Sequence, residues 1–326
     1  MGAHASGRFI VLAIVLAAGS VAVADPFMGE YAGTFFADSK TQLPATANVV
    51  AESEHDWRIV IDAVSPGPGR QGAHIEVYGN LQGQGVDISY PSGGYRWHGG
   101  INNDHLSVGS EYGQHFELDK VVRKSPNEAL QAPQGAVALL PYKKGAKTDL
   151  AAWTNQNWEV LDNGAARVRQ GSNTTKERFG DVKQLHVEFW LPLEPGNRGQ
   201  GRANSGVFLN DTYEVQVLDS FGLVYTSGDC GSLYSIKRPD VNASLPPETW
   251  QTYDIEFRAP RLNADGSIKE NARITVVHNG IKIHDNVELV RPTADPKAQQ
   301  KITGPIQLQD HSHPIQYRNI WLVKTE

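Results

Sequence analysis

Short stretches in which apolar and polar residues alternate run through nearly the whole chain, and no long stretch repeats with the period of a helix. In the first half, Trp57-Arg58-Ile59-Val60-Ile61 and His74-Ile75-Glu76-Val77-Tyr78 read as strands. The breaker run Ser65-Pro66-Gly67-Pro68-Gly69 separates them. Shorter strand segments surround Val86-Asp87-Ile88 and Tyr95-Arg96-Trp97. Residues 25–125 are therefore expected to form a small accessory β domain, a sandwich or a barrel. Residues 126–147 lack alternation, hold Pro126, Pro133 and Pro141, and read as a connector.

Beyond Lys147 the alternation is cleaner. Leu185, Val187 and Phe189 share one face of a strand, and His186, Glu188 and Trp190 share the other. Tyr213, Val215 and Val217 oppose Glu214 and Gln216 in the same way. Residues 276–283 read as a hairpin turning at Asn279-Gly280, a pair suited to the positive φ angles of a type I′ turn. Ile306 and Leu308 alternate with Gln307 and Gln309. Strands with one buried and one polar face suit an antiparallel two-sheet sandwich with a groove, so the whole chain is expected to be all-β. Residues 148–326 are expected to be stable alone.

Composition changes the picture in three places. The net charge is −6, and Lys and Arg are scattered, so no nucleic-acid partner is expected. Arg8, the apolar run Phe9 to Ala18 and the small-x-small site Ala22-Val23-Ala24 predict a secretory signal peptide over residues 1–24, cut before Asp25. The alternative is an uncleaved anchor, but Gly19-Ser20 interrupts a run barely long enough to span. After cleavage no span remains, and the mature protein is expected in the periplasm or outside the cell. Cys230 is the single cysteine, so burial rather than disulfides must hold each domain.

Arg202-Ala203-Asn204-Ser205-Gly206-Val207-Phe208-Leu209, followed by Tyr213-Glu214-Val215-Gln216-Val217-Leu218-Asp219-Ser220, resembles the central signature of the 3-keto-disaccharide hydrolase family. Further pieces follow in order: Thr175–Phe179, Leu185–Phe189, Trp250–Ile255, Leu308–His311 and Tyr317–Trp321. The resemblance covers about residues 148–326 and implies a concanavalin A-like jelly roll. It also implies an enzyme that cleaves glycosides carrying a ketone at C3, by hydrolysis or by elimination, which the N-terminal pattern would export. The substrate would be a 3-keto-glycoside or oligosaccharide. A non-catalytic carbohydrate-binding protein using the same groove is the alternative.

A C3 ketone acidifies the C2 hydrogen, so such a site needs a base and donors or a metal at the enolate oxygen. Glu214, Glu188, Asp219 and His311 are the candidate catalytic groups. Arg202, Asn204, Ser205, Gln216, Tyr234, Gln309, Arg318 and Trp190 are the candidate sugar contacts. His186, Glu188, Glu214 and His311 could together hold a divalent ion such as Zn, Mn or Co. The plainer alternative for His186 and Glu188 is a hydrogen-bonded pair. The pattern Glu214-x-Gln216-x-x-Asp219 loosely resembles the E-x-D-x-x-E of laminarinase-type glycosidases. Its outer carboxylates lie about 16 Å apart when extended, too far for an ordinary retaining pair. His186, Glu188, Glu214, Gln216 and His311 are expected to face one shared groove.

Overall fold

The computed structural model describes residues 25–64, 72–293 and 295–325; the signal-peptide reading at 1–24 lies outside these residues. Eight strands, each paired with the next, open the chain: β1 Gly29–Phe36, β2 Gln42–Ala51, β3 Asp56–Ala63, β4 Ala73–Gln82, β5 Gly85–Ser92, β6 Tyr95–Asn102, β7 His105–Ser110 and β8 His115–Val121. β8 returns to pair with β1, which closes a barrel and leaves no open edge. Alternation explains it. Trp57, Ile59, Ile61 and Ala63 of β3 point inward, while Arg58, Val60 and Asp62 stay partly solvated. Of the aromatic residues noted in this half, Trp57 and Trp97 are core. Tyr78 packs on Tyr90 outside, and Tyr95 stands at a mouth lined also by Phe35, Ile75 and Gln114.

The second half is a two-sheet sandwich. The larger sheet runs β10 Glu159–Val160, β11 Ala166–Arg167, β22 Gln316–Lys324, β13 Val182–Trp190, β16 Trp250–Arg258, β19 Ala272–His278 and β20 Ile281–Leu289. The smaller sheet runs β12 Asn173–Thr174, β21 Gln307–Leu308, β14 Ser205–Leu209 and β15 Tyr213–Val217. A separate two-stranded ribbon pairs β17 Arg261–Leu262 with β18 Ile268–Glu270. The one helical turn among the described residues is a 3-10 turn at Gly199–Gly201. The two sheets bury one core between them, with Leu185, Val187 and Phe189 from β13 meeting Val207, Leu209, Tyr213, Val215 and Val217 from β14 and β15.

The segment expected to be a connector is part of this sandwich. β9, Val137–Leu140, pairs with β22. Residues 125–131 cross the outer face of the larger sheet as a strap. There the Ser125 and Thr252 hydroxyls bond at 2.6 Å, Asn127 Nδ2 donates to Asp254 Oδ2 at 2.7 Å, and Ala129 N donates to Glu188 Oε1 at 2.6 Å. Four residues of strand inside a proline-rich segment are too short to show a period.

Candidate active site

The register of the smaller sheet builds the site. Because Val207, Leu308 and Val215 face the core, their neighbours face out in two cross-strand rows. One row runs Thr174, Gln307, Phe208, Glu214. In the next, Gly206 pairs with Gln216, and Gln309 N donates to Gly206 O at 2.9 Å. Gly206 is the gap in its row. A Cβ there would lie 2.3 Å from Glu214 Oε1, so the missing side chain is the space that the carboxylate occupies.

Glu214 is buried, 3% exposed, yet no donor or cation among the described residues reaches its carboxylate. Burial alone pushes its pKa up to about 7, so the group is poised near neutrality. Amides surround it. Gln216 Nε2 donates to Gln200 Oε1 at 3.0 Å and to Gly228 O at 3.3 Å. Gln200 Oε1 also accepts from Asn204 Nδ2 at 3.1 Å, and Gln200 Nε2 donates to Gly228 O at 2.8 Å. Asn204 Oδ1 and Gln309 Oε1 are buried with no donor. Two orphaned acceptors on this face, beside an unpaired carboxylate, suit a ligand rich in hydroxyl donors. Tyr234 closes the edge, its N–H donating to Glu214 O at 3.2 Å.

The expected convergence of His186, Glu188, Glu214, Gln216 and His311 does not occur. β13 and β15 both turn their apolar faces into the shared core, so His186 and Glu188 point away from Glu214, on the opposite outer face of the sandwich. Under the strap, His186 Nδ1 pairs with Asp254 Oδ1 at 2.8 Å and its ring stacks on Trp321. Glu188 accepts from Arg318 Nε at 2.7 Å and Asn319 Nδ2 at 2.7 Å. A bulge, with Asn319 at φ 49°, lets both neighbours reach it. Arg318 lies between the rings of Tyr142 and Trp250, 4.4 and 3.9 Å away. Trp190 shares this face of β13. His186, Glu188, Arg318 and Trp190 are thus part of the strap's seat, not of the groove. The four-residue metal set is not assembled, and no group of three or more His, Cys, Asp or Glu among the described residues could hold an ion.

Other candidates move as well. Asp219 is sealed in an ion pair with Arg202, Nε to Oδ2 at 2.6 Å. Ser205 Oγ turns into the sandwich, bonded to Gln309 O and Tyr317 Oη at 2.6 and 2.7 Å. His311 is exposed on the loop beyond Gln309, its ring stacked against His313. Asn204, Gln216, Gln309 and Tyr234 remain with Glu214. Gln200, Gly206 and Phe208 were not expected there. The register of Gly206 opposite Gln216 was the available signal for the gap.

An unpaired carboxylate set among neutral amides, on the polar face of an antiparallel sandwich, is an arrangement that suits a polyhydroxyl ligand. The 3-keto-alpha-glucoside-1,2-lyase-like domain matches residues 144–323, and the chain belongs to that family. A solved structure described as a "putative glycosyl hydrolase" from Parabacteroides distasonis ATCC 8503 is 35% identical, covers 60% of this chain and 85% of its own, and superposes with a TM-score of 0.55. A second structure so described, from the same organism, is 14% identical over 55% of this chain and 91% of its own, with a TM-score of 0.41. No curated protein matches the chain. Family and neighbour place the sandwich among glycoside-cleaving proteins with carbohydrate substrates. Among the described residues no helix is long and apolar enough to cross a membrane.

Proposed function

We propose that the protein cleaves 3-keto-glycosides after export, with Glu214 as the base that removes the C2 proton. The observation that carries this reading is the buried, unpaired Glu214 carboxylate with its pKa at about 7. A base of that strength is largely ionised just above neutrality and still basic enough to accept a carbon-bound proton. As the C2–H bond breaks, its electron pair enters the C2–C3 bond and negative charge gathers on the ketone oxygen. Return of that pair forms the C1–C2 double bond and breaks the bond from C1 to the glycosidic oxygen. The proton held by Glu214 leaves with the departing alcohol. Addition of water across C1–C2 then completes a net hydrolysis, and release before that step completes a lyase reaction.

Ordinary two-carboxylate hydrolysis fits the site less well. The two cross-strand rows hold one carboxylate, and Asp219 is committed to Arg202. Asn204, Gln216 and Gln309 are suited to the sugar hydroxyls, since none of them titrates. The test is incubation of the protein with a 3-keto-disaccharide and with the unoxidised disaccharide. Cleavage of the keto sugar alone is expected. Equal cleavage of both would replace this chemistry with conventional glycosidase action, and binding without cleavage would leave a carbohydrate-binding protein.

A further inference from the structure

The strand that carries Glu214 and Gln216 does not end in solvent. It runs on through Asp219 and Ser220 to Phe221, which is 3% exposed and packs into the apolar core of the barrel rather than that of the sandwich. Gly222 follows at φ 67°, with Val50 and Asn48 of β2 so close that a Cβ would meet Val50 Cγ2 at 2.7 Å. Arg58 of β3 donates to Gly222 O at 3.0 Å. The loop that brings Gln200 to Gln216 is held by the same barrel hairpin. Arg198 Nη2 donates to Glu52 O at 2.8 Å and its guanidinium also pairs with the Glu52 carboxylate. Arg202 Nη2 donates to Ala51 O at 3.1 Å while its Nε holds Asp219.

We infer that the barrel is a positioning element of the sugar site, acting through Phe221 and Arg198. The inference rests on the reading of the Glu214 face as that site. Two of the site's supports, the end of β15 and the loop 198–202, converge on one hairpin of the barrel, that of β2 and β3, the first at Asn48, Val50 and Arg58 and the second at Ala51 and Glu52. Loosening either anchor leaves Glu214 buried but frees Gln200, and with it the amides of Gln216 and Asn204 that Gln200 orients. Phe221 and Arg198 touch no part of the two cross-strand rows, so their effect is on geometry. A misplacement of this kind costs binding of the reacting sugar before it alters the base.

The test uses the full chain with Phe221→Ala, Phe221→Leu, Arg198→Ala and the conservative Arg198→Lys, which leaves the pair between Glu52 and Arg58 in place. Assays run well below the unfolding midpoint, so that only folded protein is read. Phe221→Ala is expected to lower kcat/KM for a 3-keto-disaccharide about tenfold, mainly through KM. The pH midpoint set by Glu214 should not move. Phe221→Leu and Arg198→Lys should recover most of the loss. Amide exchange in residues 196–204 and 214–222 should rise in Phe221→Ala and Arg198→Ala, while β19 and β20 stay protected. Kinetic constants within twofold of wild type, with unchanged local exchange, would overturn the inference even if stability falls. If wild-type protein turns over no 3-keto-sugar, the functional reading fails by itself, and the exchange comparison still decides whether the barrel holds this loop and strand.

Discussion

Glu214 is held in two opposing ways. Its strand neighbours Tyr213 and Val215 fix its direction by facing the core, and the missing side chain at Gly206 gives it room. Burial without a partner then raises its pKa from 4.5 to about 7. The folded protein therefore keeps a proton that the unfolded chain releases near pH 4.5. Stability linked to this group is full below the unfolded pKa and is lost as pH rises towards 7, a loss on the order of 3 kcal/mol. Activity should run the other way, with kcat/KM rising through about pH 7 as the base ionises. Glu214→Gln keeps the shape and removes the charge. It should reduce turnover of a 3-keto-glycoside by at least about 10²-fold and raise the unfolding midpoint above pH 7. Chemical denaturation at pH 5 and pH 8 checks the second effect; no stabilisation at pH 8 would mean that the carboxylate is not desolvated. The sequence marked this residue because a glutamate between two core-facing residues of a strand needs a reason. Gln200 carried no such mark, because its place depends on how the loop 194–204 folds back.

At the scale of elements, alternation showed which side chains of β13 and β15 share a face, but not which face of the sandwich each strand turns outward. That depends on sheet membership, which pairing between distant strands decides. Hence His186 and Glu188 lie beneath the strap. Burial by itself would lower the His186 pKa, but bonds to Asp254 and Glu188 outweigh it and raise the pKa above 6.5. Burial would raise Glu188 and Asp254, but for Glu188 the bonds from His186, Asn319 and Arg318 prevail, and for Asp254 those led by His186, so both fall below their ordinary values of 4.5 and 3.8. The two carboxylates stabilise the folded sandwich above their unfolded pKa values and lose that contribution as pH falls. The histidine stabilises it below pH 6.5 and loses that contribution as pH rises through its raised folded value. The contribution of this cluster to folding stability should therefore be greatest between about pH 4.5 and 6.5. Chemical denaturation across this pH range, measured in the Glu214→Gln background to remove the other titration, checks this. His186→Gln should flatten the alkaline side; a profile indifferent to that change would take His186 out of the account. Arg318→Ala should cost about 3 kcal/mol or more, because it leaves Glu188 buried without its cation.

For the whole molecule, the family match begins at residue 144, yet the folded unit does not. A fragment of residues 148–326, expected from sequence to stand alone, lacks β9 and the strap. It would expose His186, Glu188, Arg318 and Trp321 on an outer face, leave β22 paired with β13 but without β9 at Ile320, Trp321 and Leu322, and bare Phe221. A fragment of residues 124–326 restores the strap and β9 and omits only the barrel. The two lengths separate two causes of failure. The shorter fragment should lose cooperative unfolding or aggregate, since an unpaired strand edge and uncapped charges are both costly. The longer one should fold to an all-β state, with a lower unfolding midpoint than a chain of residues 25–326 because the interface around Phe221 and Arg202 is gone. Circular dichroism and thermal unfolding of the three chains decide the matter. A shorter fragment as stable as the longer one would mean that the strap adds nothing to the sandwich. A longer fragment as stable as the chain of residues 25–326 would mean that the barrel rests on the sandwich without holding it.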